Sequence, residues 1–318
     1  MGLTLPPANV LWSLTGVFSL LFLSTILIYA LPFAHPDRDY TEIQQRIQSW
    51  WAMVGIFAVV LLLNRTVSLL FFAFVSFLAL KEYLSLIPTR RVDRRVLFWA
   101  YLAIAIQYYW IYINWYSMFL IFVPVYVFLF LPMRMVISAE THGFLKAVGT
   151  LHWGLMLTVF SLGHLAYLLM LPSEGNPVAG SAGLLFYLVF LTEINDIAQY
   201  VVGKSFGHHK VIPKVSPKKT WEGLLGGICT TVLLAILLAP LLTPFTLIHA
   251  SVIGLILGFA GFIGDLTISA LKRDLGVKDS GNLIPGHGGI LDRIDSLTYT
   301  APLFFHFTVY FYFQGMLP

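Results

Sequence analysis

The sequence predicts an all-α protein with about nine or ten transmembrane helices, and three observations support this fold class. Of the 318 residues, 58% are hydrophobic and only 11% are charged. The mean hydropathy is +0.83, and so much apolar surface exceeds what a single soluble core of this length can bury. The apolar residues also fall into segments of about 20, the length that crosses a bilayer. We therefore expect a polytopic integral membrane protein.

Ten apolar segments are long enough to be candidate spans. They lie near residues 9–33, 48–63, 67–87, 97–113, 115–133, 147–171, 181–202, 222–242, 244–264 and 297–316. The first segment has no basic stretch before it and is too long for the apolar part of a signal peptide. We therefore expect it to be a retained helix.

Basic residues cluster in two of the connecting segments and predict the orientation in the membrane. One cluster contains four arginines and the other five lysines: Arg90, Arg91, Arg94 and Arg95, then Lys204, Lys210, Lys214, Lys218 and Lys219. The positive-inside rule assigns both clusters to the cytoplasm. With ten spans, residues 134–146 and 265–296 fall on that side as well, and residues 173–177 fall outside.

Polarity divides the chain into two regions. Residues 1–185 contain apolar segments with short connections, and we interpret them as an N-terminal transmembrane scaffold. Polar motifs begin after Leu191, so residues 186–318 are predicted to form a C-terminal transmembrane catalytic region.

The segment from Ser269 to Asp295 is the strongest candidate for a site. Its 27 residues include four Lys or Arg and four Asp, in a chain that is otherwise poor in charge. If the preceding helix continues to about Arg273, then Asp265, Ser269 and Lys272 lie on one helical face. Charged groups next to a membrane are costly, so their presence indicates a function.

A glycine-rich turn, Pro285-Gly286-His287-Gly288-Gly289, follows within this segment, and a new helix is predicted near Leu291. Glycine lets the backbone approach a ligand closely. Asp292, Asp295 and Ser296 would share a face of the new helix. Two helix ends with carboxylates suit Mg²⁺, which binds oxygen ligands. His287 has no second His or Cys at zinc spacing, so a polar contact to substrate is the better interpretation.

Two upstream motifs add polar groups. Asp196 lies in an apolar segment, where an acid requires a partner or a polar cavity unless it marks an interfacial helix end. Farther on, Ser216 and Pro217 are typical of a helix start and would place Lys218 and Lys219 in the first turn. That charge opposes the helix dipole unless an anion binds there, so we expect a phosphate contact, with topology lysines as the alternative.

These residues resemble the signature of phosphatidate cytidylyltransferases, also called CDP-diacylglycerol synthases. The matching positions are Ser269, Leu271, Lys272, Arg273, Lys278, Asp279, Gly281, Leu283, Pro285, Gly286, His287, Gly288, Gly289, Asp292, Arg293 and Asp295. The segment 216–223, SPKKTWEG, and Asn195-Asp196 with Tyr200 and Gly203 resemble upstream motifs of the same family. The resemblance covers about residues 190–300.

The resemblance implies a polytopic α-helical enzyme that joins CTP to phosphatidic acid, releasing CDP-diacylglycerol and pyrophosphate with Mg²⁺. It places the metal on Asp265 and Asp292, with a potassium ion as a possible second ion, and assigns nucleotide-phosphate binding to residues 216–223. Many bacterial members have a small Ser or Thr and then Gly-Ala after the acid at position 196. This chain has Ile197-Ala198-Gln199 instead, which leaves the lipid acceptor open.

We therefore predict a site on the cytoplasmic side of the membrane, built from two sets of residues. The predicted catalytic residues are Asp265, Lys272, Arg273, Lys278, Asp279, His287, Asp292 and Arg293. The predicted substrate-binding residues are Asp196, Lys204, Ser216, Lys218, Lys219, Thr220, Ser269, Gly288, Gly289 and Asp295. The cations would offset the charge of the reacting phosphates.

The expected partners are CTP, phosphatidic acid and the lipid bilayer, with homo-oligomerisation possible and no role for nucleic acid. A CTP-dependent lipid kinase and a cytidylyltransferase for another lipid phosphate are alternatives within enzymes. A transporter would have paired charges at mid-membrane and inverted repeats, whereas the charges of this chain fall in loops and at span ends.

Overall fold

A computed structural model describes residues 6–34, 39–137, 139–281, 283 and 288–317. Throughout this part of the chain the regular structure is helical, apart from one isolated antiparallel bridge between Lys210 and Thr220. The all-α prediction is confirmed.

The helices are numbered here in chain order. They are α1 (Ala8–Ala34), α2 (Thr41–Leu62), α3 (Arg65–Leu86), α4 (Arg94–Tyr112), α5 (Tyr116–Val136), α6 (Phe144–Leu168), α7 (Gly180–Phe206), α8 (Trp221–Leu242), α9 (Leu247–Asp274), the short α10 (Leu291–Ile294) and α11 (Leu297–Tyr312). Helix α5 contains a π-helical turn at Phe122–Val127, and α6 contains another at Met156–Ser161.

Apart from α10, these helices coincide with the ten apolar segments of the sequence. Among the described residues, eight helices are long and apolar enough to cross a membrane, which supports an integral multi-pass protein. Of the ten helices that coincide with apolar segments, α4 and α11 are not in that group. Helix α4 begins with Arg94 and Arg95 and is rich in Tyr and Trp, whereas α11 has 16 residues.

Helices α7, α8 and α9 pack closely because glycines on their facing surfaces leave no side chain between the backbones. A Cβ atom on Gly223 of α8 would lie 2.7 Å from the carbonyl oxygen of Gln199 on α7. A Cβ on Gly254 of α9 would lie 2.8 Å from the Cα of Val232 on α8. Small residues permit such close packing of membrane helices. The polar residues of α7 and α9 are thereby brought to one region.

The connecting segments gather at the two ends of the bundle. At one end, Arg90 Nη1 donates hydrogen bonds to the carbonyl oxygens of Glu140 and His142, at 3.0 and 2.8 Å. At the opposite end, Asn176 Nδ2 donates to the carbonyl oxygen of Leu242 at 2.9 Å. The side of the membrane on which each end lies stays a prediction.

Candidate active site

An ion pair between the segment 207–220 and helix α9 lies at the centre of the candidate site. Lys219 Nζ is 2.7 Å from Asp265 Oδ2. The same ammonium donates to Gln199 Oε1 on α7 at 3.0 Å and lies 5.4 Å from the ring centroid of Phe262. We call residues 207–220 the lysine segment. Lys219 therefore joins this segment to α7 and α9.

Two further carboxylates, Asp196 and Asp295, lie close to this ion pair. Ser296 Oγ is 2.8 Å from Asp196 Oδ2, and the backbone N–H of Ser296 donates to Asp295 Oδ1 at 2.7 Å. Burial, together with the charges of Asp265 and Asp196, raises the pKa of Asp295 well above its ordinary value. Three carboxylates thus repel one another in a region that favours positive charge.

Lys219 carries part of the compensating charge. Burial alone would lower the pKa of this ammonium, but the nearby Asp265 and Asp196 raise the pKa of Lys219 above its usual value on balance. The lysine is therefore held in its charged form at neutral pH.

Three buried polar atoms in this region have no hydrogen-bond partner among the described residues. They are Asp196 Oδ1, Gln199 Nε2 and Arg293 Nε, one acceptor and two donors. Arg293 lies near enough to Asp295 to counteract part of the rise in its pKa. Buried polar atoms nearly always have a hydrogen-bond partner. Three unpaired atoms close together therefore indicate a place where a polar ligand or ordered water binds.

A second polar group is centred on Asp292. Its Oδ1 accepts a hydrogen bond from Lys272 Nζ at 2.6 Å, while Oδ2 accepts from the backbone N–H groups of Ser280 and Gly289 at 2.9 and 3.0 Å. Burial would raise the pKa of Asp292, but Lys272 and these N–H groups lower it on balance. The carboxylate is held ionised by donors from α9 and from the connection that follows it.

A cavity of about 540 Å³ opens beside Lys219, between α7, the lysine segment and the start of α8. Five residues predicted to bind substrate line it together: Lys204, Ser216, Lys218, Lys219 and Thr220. Lys210 adds a fourth lysine to its wall. The cavity is therefore suited to an anionic ligand.

A comparison with known families identifies the family of the chain. The model of the cytidylyltransferase family matches residues 44–311. The chain belongs to the cytidylyltransferase family. Family membership and the apolar helices together identify a membrane-bound transferase that uses CTP.

Individual relatives differ in how much of the chain they match. The uncharacterized protein YnbB of Escherichia coli is 47% identical over 298 residues, covering 94% of this chain and 98% of that protein. The phosphatidate cytidylyltransferase of Haemophilus influenzae is 45% identical over 135 residues, or 41% of this chain and 46% of its own length. That of Pseudomonas aeruginosa is 51% identical over 124 residues, again with 46% of its length covered. This cytidylyltransferase therefore matches both enzymes over less than half of their length.

The helix start predicted at Ser216 in this cytidylyltransferase is wrong. Residues 216–219 form a turn, and α8 begins at Trp221 with Thr220 as its cap, whose Oγ1 accepts from the N–H of Gly223 at 3.1 Å. The first turn of α8 carries Glu222, which suits the helix dipole. Lys218 and Lys219 precede the helix, so the dipole argument for an anion does not apply to them.

Backbone contacts close the lysine segment at its base. The N–H of Val211 donates to the carbonyl oxygen of Lys219 at 3.2 Å, and that of Trp221 donates to the carbonyl oxygen of His209 at 2.9 Å. Lys218 and Lys219 therefore line the cavity from a turn that is fixed by backbone hydrogen bonds.

The prediction that α9 continues to about Arg273 is confirmed, because the helix ends at Asp274. Ser269 Oγ donates to Asp265 Oδ1 at 3.1 Å, so these two residues share a face as expected. Lys272 instead contacts Asp292. Arg273 Nε donates to the carbonyl oxygen of Val215 at 3.3 Å and so ties α9 to the lysine segment.

The remaining predicted residues lie on or near the connection after α9. Lys278 and Asp279 are exposed there. Gly288 has a φ of +79°, and a Cβ on it would lie 2.5 Å from Asp292 Oδ2, so only glycine fits this position. His287 lies outside the described residues. Asp292 and Asp295, which were expected to share a helical face, contact different partners.

Glu82 is a site residue that sequence reasoning missed, because it lies in the presumed scaffold. Near the end of α3, its carboxylate accepts hydrogen bonds from the backbone N–H groups of Ile290 and Leu291 at 2.9 and 3.0 Å. It also accepts from Ser280 Oγ. The only signal in the sequence was a charged pair, Lys81-Glu82, inside an otherwise apolar segment.

Proposed function

We propose that this cytidylyltransferase joins CTP to phosphatidic acid on the cytoplasmic side of the membrane and releases CDP-diacylglycerol and pyrophosphate. The observation that carries the proposal is the lysine-lined cavity of about 540 Å³ beside a group of half-buried carboxylates and three buried polar atoms without partners among the described residues. The relatives named phosphatidate cytidylyltransferase support phosphatidic acid as the acceptor.

The nucleotide fits the lysine side of the site. The triphosphate of CTP carries several negative charges. Lys204, Lys210 and Lys218 line the cavity, and no carboxylate is among the described residues of its wall. Ammonium groups bind phosphate oxygens through charge-assisted hydrogen bonds. We assign the triphosphate to this cavity, which Gln199 lines and where its unpartnered Nε2 would donate to phosphate. Arg293 does not line the cavity but lies near Asp295, where its unpartnered Nε would donate to the reacting phosphates.

The reaction is a displacement at phosphorus. A phosphate oxygen of phosphatidic acid attacks the α-phosphorus of CTP and forms a new P–O bond. The bond from the α-phosphorus to the oxygen that bridges to the β-phosphorus breaks, and pyrophosphate leaves with the bonding electrons. Because the attacking phosphate is already anionic, the protein needs to position the two phosphates and offset their charge more than it needs a strong base.

The carboxylates of the site fit a magnesium ion. Asp265 and Asp292 are each paired with an ammonium, Lys219 at 2.7 Å and Lys272 at 2.6 Å, which a bound metal ion would replace as the partner of the carboxylate. Asp196 adds a buried oxygen without a partner. No group of three or more His, Cys, Asp or Glu side chains suited to a metal was found among the described residues. Mg²⁺ does not require one, since it usually takes one or two carboxylates and completes its shell with phosphate and water.

We therefore assign the ion to Asp265 and Asp292, with Asp196 as a further oxygen donor. When bound, it would act as a Lewis acid that neutralises phosphate charge. Before the ion binds, Lys219 and Lys272 hold these two carboxylates in place. Asp295 would add negative charge once a bound cation offsets the burial and the repulsion that raise its pKa.

A second candidate acceptor is a lipid phosphate other than phosphatidic acid. Gln199 occupies a position where the family resemblance leads us to expect a small residue, and its side chain contacts Lys219 in the site. A larger polar side chain next to the reacting phosphates would alter the room for the lipid headgroup.

One assay tests the proposal and separates the alternatives. The purified protein in detergent micelles is incubated with α-labelled CTP, Mg²⁺ and phosphatidic acid, and we expect labelled lipid and pyrophosphate in equal amounts. Release of CDP with transfer of the γ-phosphate to lipid would identify a kinase instead. If labelled lipid forms only when another lipid phosphate replaces phosphatidic acid, the second acceptor is supported. The Gln199→Ala variant should then regain activity with phosphatidic acid.

A further inference from the structure

Glu82 connects the N-terminal half of the chain to the connection between α9 and α10. Its Oε2 accepts a hydrogen bond from the N–H of Ile290 at 2.9 Å, and Oε1 accepts from the N–H of Leu291 at 3.0 Å and from Ser280 Oγ. Three donors from two separate parts of this connection thus converge on one carboxylate. The contact with Leu291 joins residues 209 positions apart in the sequence.

Two glycines make room for this carboxylate. A Cβ on Gly289 would lie 2.1 Å from Glu82 Oε1, and one on Gly281 would lie 3.0 Å from Oε2. The first distance is too short for any real side chain. Gly289 therefore leaves room for the carboxylate of Glu82 in its present position, a reason independent of contact with substrate.

The contacts of Glu82 lead directly to Asp292. Ser280 binds Glu82 through its hydroxyl and binds Asp292 Oδ2 through its N–H at 2.9 Å. Gly289, which faces Glu82, also donates its N–H to Asp292 Oδ2 at 3.0 Å. Asp292 in turn binds Lys272 at 2.6 Å.

We propose that Glu82 is a positioning residue, which fixes the backbone from Gly289 to Leu291 so that Asp292 and Arg293 face the reacting phosphates. The inference rests on the proposed function for the role of Asp292 and Arg293. A buried N–H without a partner is unfavourable, so the hydrogen bonds from Ile290 and Leu291 to Glu82 stabilise this backbone. Removing Glu82 therefore releases this backbone without removing any group that touches substrate.

Kinetics of Glu82→Gln and Glu82→Ala test the role in activity. We expect kcat to fall at least tenfold in Glu82→Ala and less in Glu82→Gln, which keeps one acceptor oxygen, while the KM for CTP changes less than threefold. Lys81→Gln, on the exposed adjacent position, is the matched control and should behave as wild type. Unchanged kcat in Glu82→Ala would overturn the proposal.

A double-mutant cycle tests the spatial argument. Gly289→Ala should lower kcat about as much as Glu82→Ala, because the added methyl group displaces the carboxylate. In the Glu82→Ala background the same methyl group has space, so the double variant should be no worse than either single variant. Additive losses would mean that Gly289 acts independently of Glu82, and the proposal would be wrong.

Hydrogen exchange supplies a readout that needs no enzymatic activity. In Glu82→Ala we expect the amides of Ile290 and Leu291 to exchange at least tenfold faster, while the amides of α7 and α8 keep wild-type rates. This result would support the positioning role even if phosphatidic acid proved to be the wrong substrate. Unchanged exchange at 290–291, or faster exchange throughout the chain, would contradict it.

Discussion

Lys219 and Asp265 form an ion pair of 2.7 Å whose side chains are 19% and 24% exposed. The pair is sheltered enough to be weakly screened by water, yet it remains open to a ligand in the adjoining cavity. Exposed ion pairs contribute little to stability, whereas removing one partner of a sheltered pair leaves an uncompensated charge. Substitution of either residue should therefore leave the other without its compensating charge.

Lys219→Ala should abolish turnover, because Asp265 would be left unpaired beside Asp196 and Asp295. Lys218→Ala should fold normally and raise the KM for CTP about tenfold, the loss expected for one charge-assisted hydrogen bond. Steady-state kinetics and thermal unfolding in detergent measure both effects. Lys214→Ala, on the same segment, is the control. If all three variants have the same kinetics, Lys218 and Lys219 do not bind the nucleotide and serve only to orient the protein in the membrane.

Asp265→Asn and Asp292→Asn should each lower turnover by at least about a hundredfold, because the amide keeps the volume but removes the charge that a hard divalent ion needs. Raising Mg²⁺ should recover part of the activity in Asp265→Asn. Asp274→Asn, at the exposed end of α9, is the matched control and should have a mild effect. Near wild-type activity in either of the first two variants would move the metal to other carboxylates.

Asp295→Asn should stabilise the metal-free protein by about 1 kcal/mol while reducing activity, as is common for substitutions that relieve strain in an active site. The amide can still accept from Ser296, but it no longer repels Asp265 and Asp196. Thermal unfolding in EDTA measures the gain.

The gain should also depend on pH. The folded-state pKa of Asp295 is raised, so the folded protein favours the protonated form of this residue. The wild type therefore becomes more stable relative to Asp295→Asn as the pH falls, and it loses that stability as the pH rises through the folded-state pKa. The difference in melting temperature between Asp295→Asn and wild type should therefore narrow from pH 8 toward pH 5. A difference independent of pH would mean that Asp295 is not held near other charges.

Cysteine labelling tests the orientation in the membrane. In a Cys229→Ser background, cysteines at the exposed positions Ser205 and Leu283 should react with an impermeant reagent only from the cytoplasmic side. A cysteine at Ser173 should react only from outside. Labelling of 205 and 283 from opposite sides would contradict a single site formed by both segments.

The helices could be predicted from the sequence because each depends on a local run of apolar residues. Asp265 and Ser269 were correctly placed together for the same reason, as four positions along a helix always share a face. The start of α8 was misplaced because Ser216-Pro217 and Thr220 are both good local signals. The helix begins after Thr220 because the backbone hydrogen bonds from Val211 to Lys219 and from Trp221 to His209 hold residues 216–219 in a turn. Such contacts cannot be recognised in a local sequence pattern.

The contacts that assemble the site could not be predicted in this way. Gln199 and Lys219 meet because glycines let α7 and α8 approach closely, and Glu82 meets Ile290 across 208 positions. Such pairs depend on how distant helices pack. The family resemblance identified the residue types of the site, but it assigned the metal to Asp265 and Asp292 without indicating that each is held by its own lysine.

The closure of the lysine segment at its base affects how tightly a nucleotide can be held. Val211 is bonded to Lys219, and Trp221 to His209, so the turn that carries Lys218 is already in place before any ligand arrives. A flexible loop would lose conformational entropy when it binds a triphosphate, and its affinity would be lower than that of an ordered turn with the same contacts. A turn that is ordered in advance avoids most of this loss, leaving mainly the side-chain rotamers of the lysines to be restricted when the nucleotide binds.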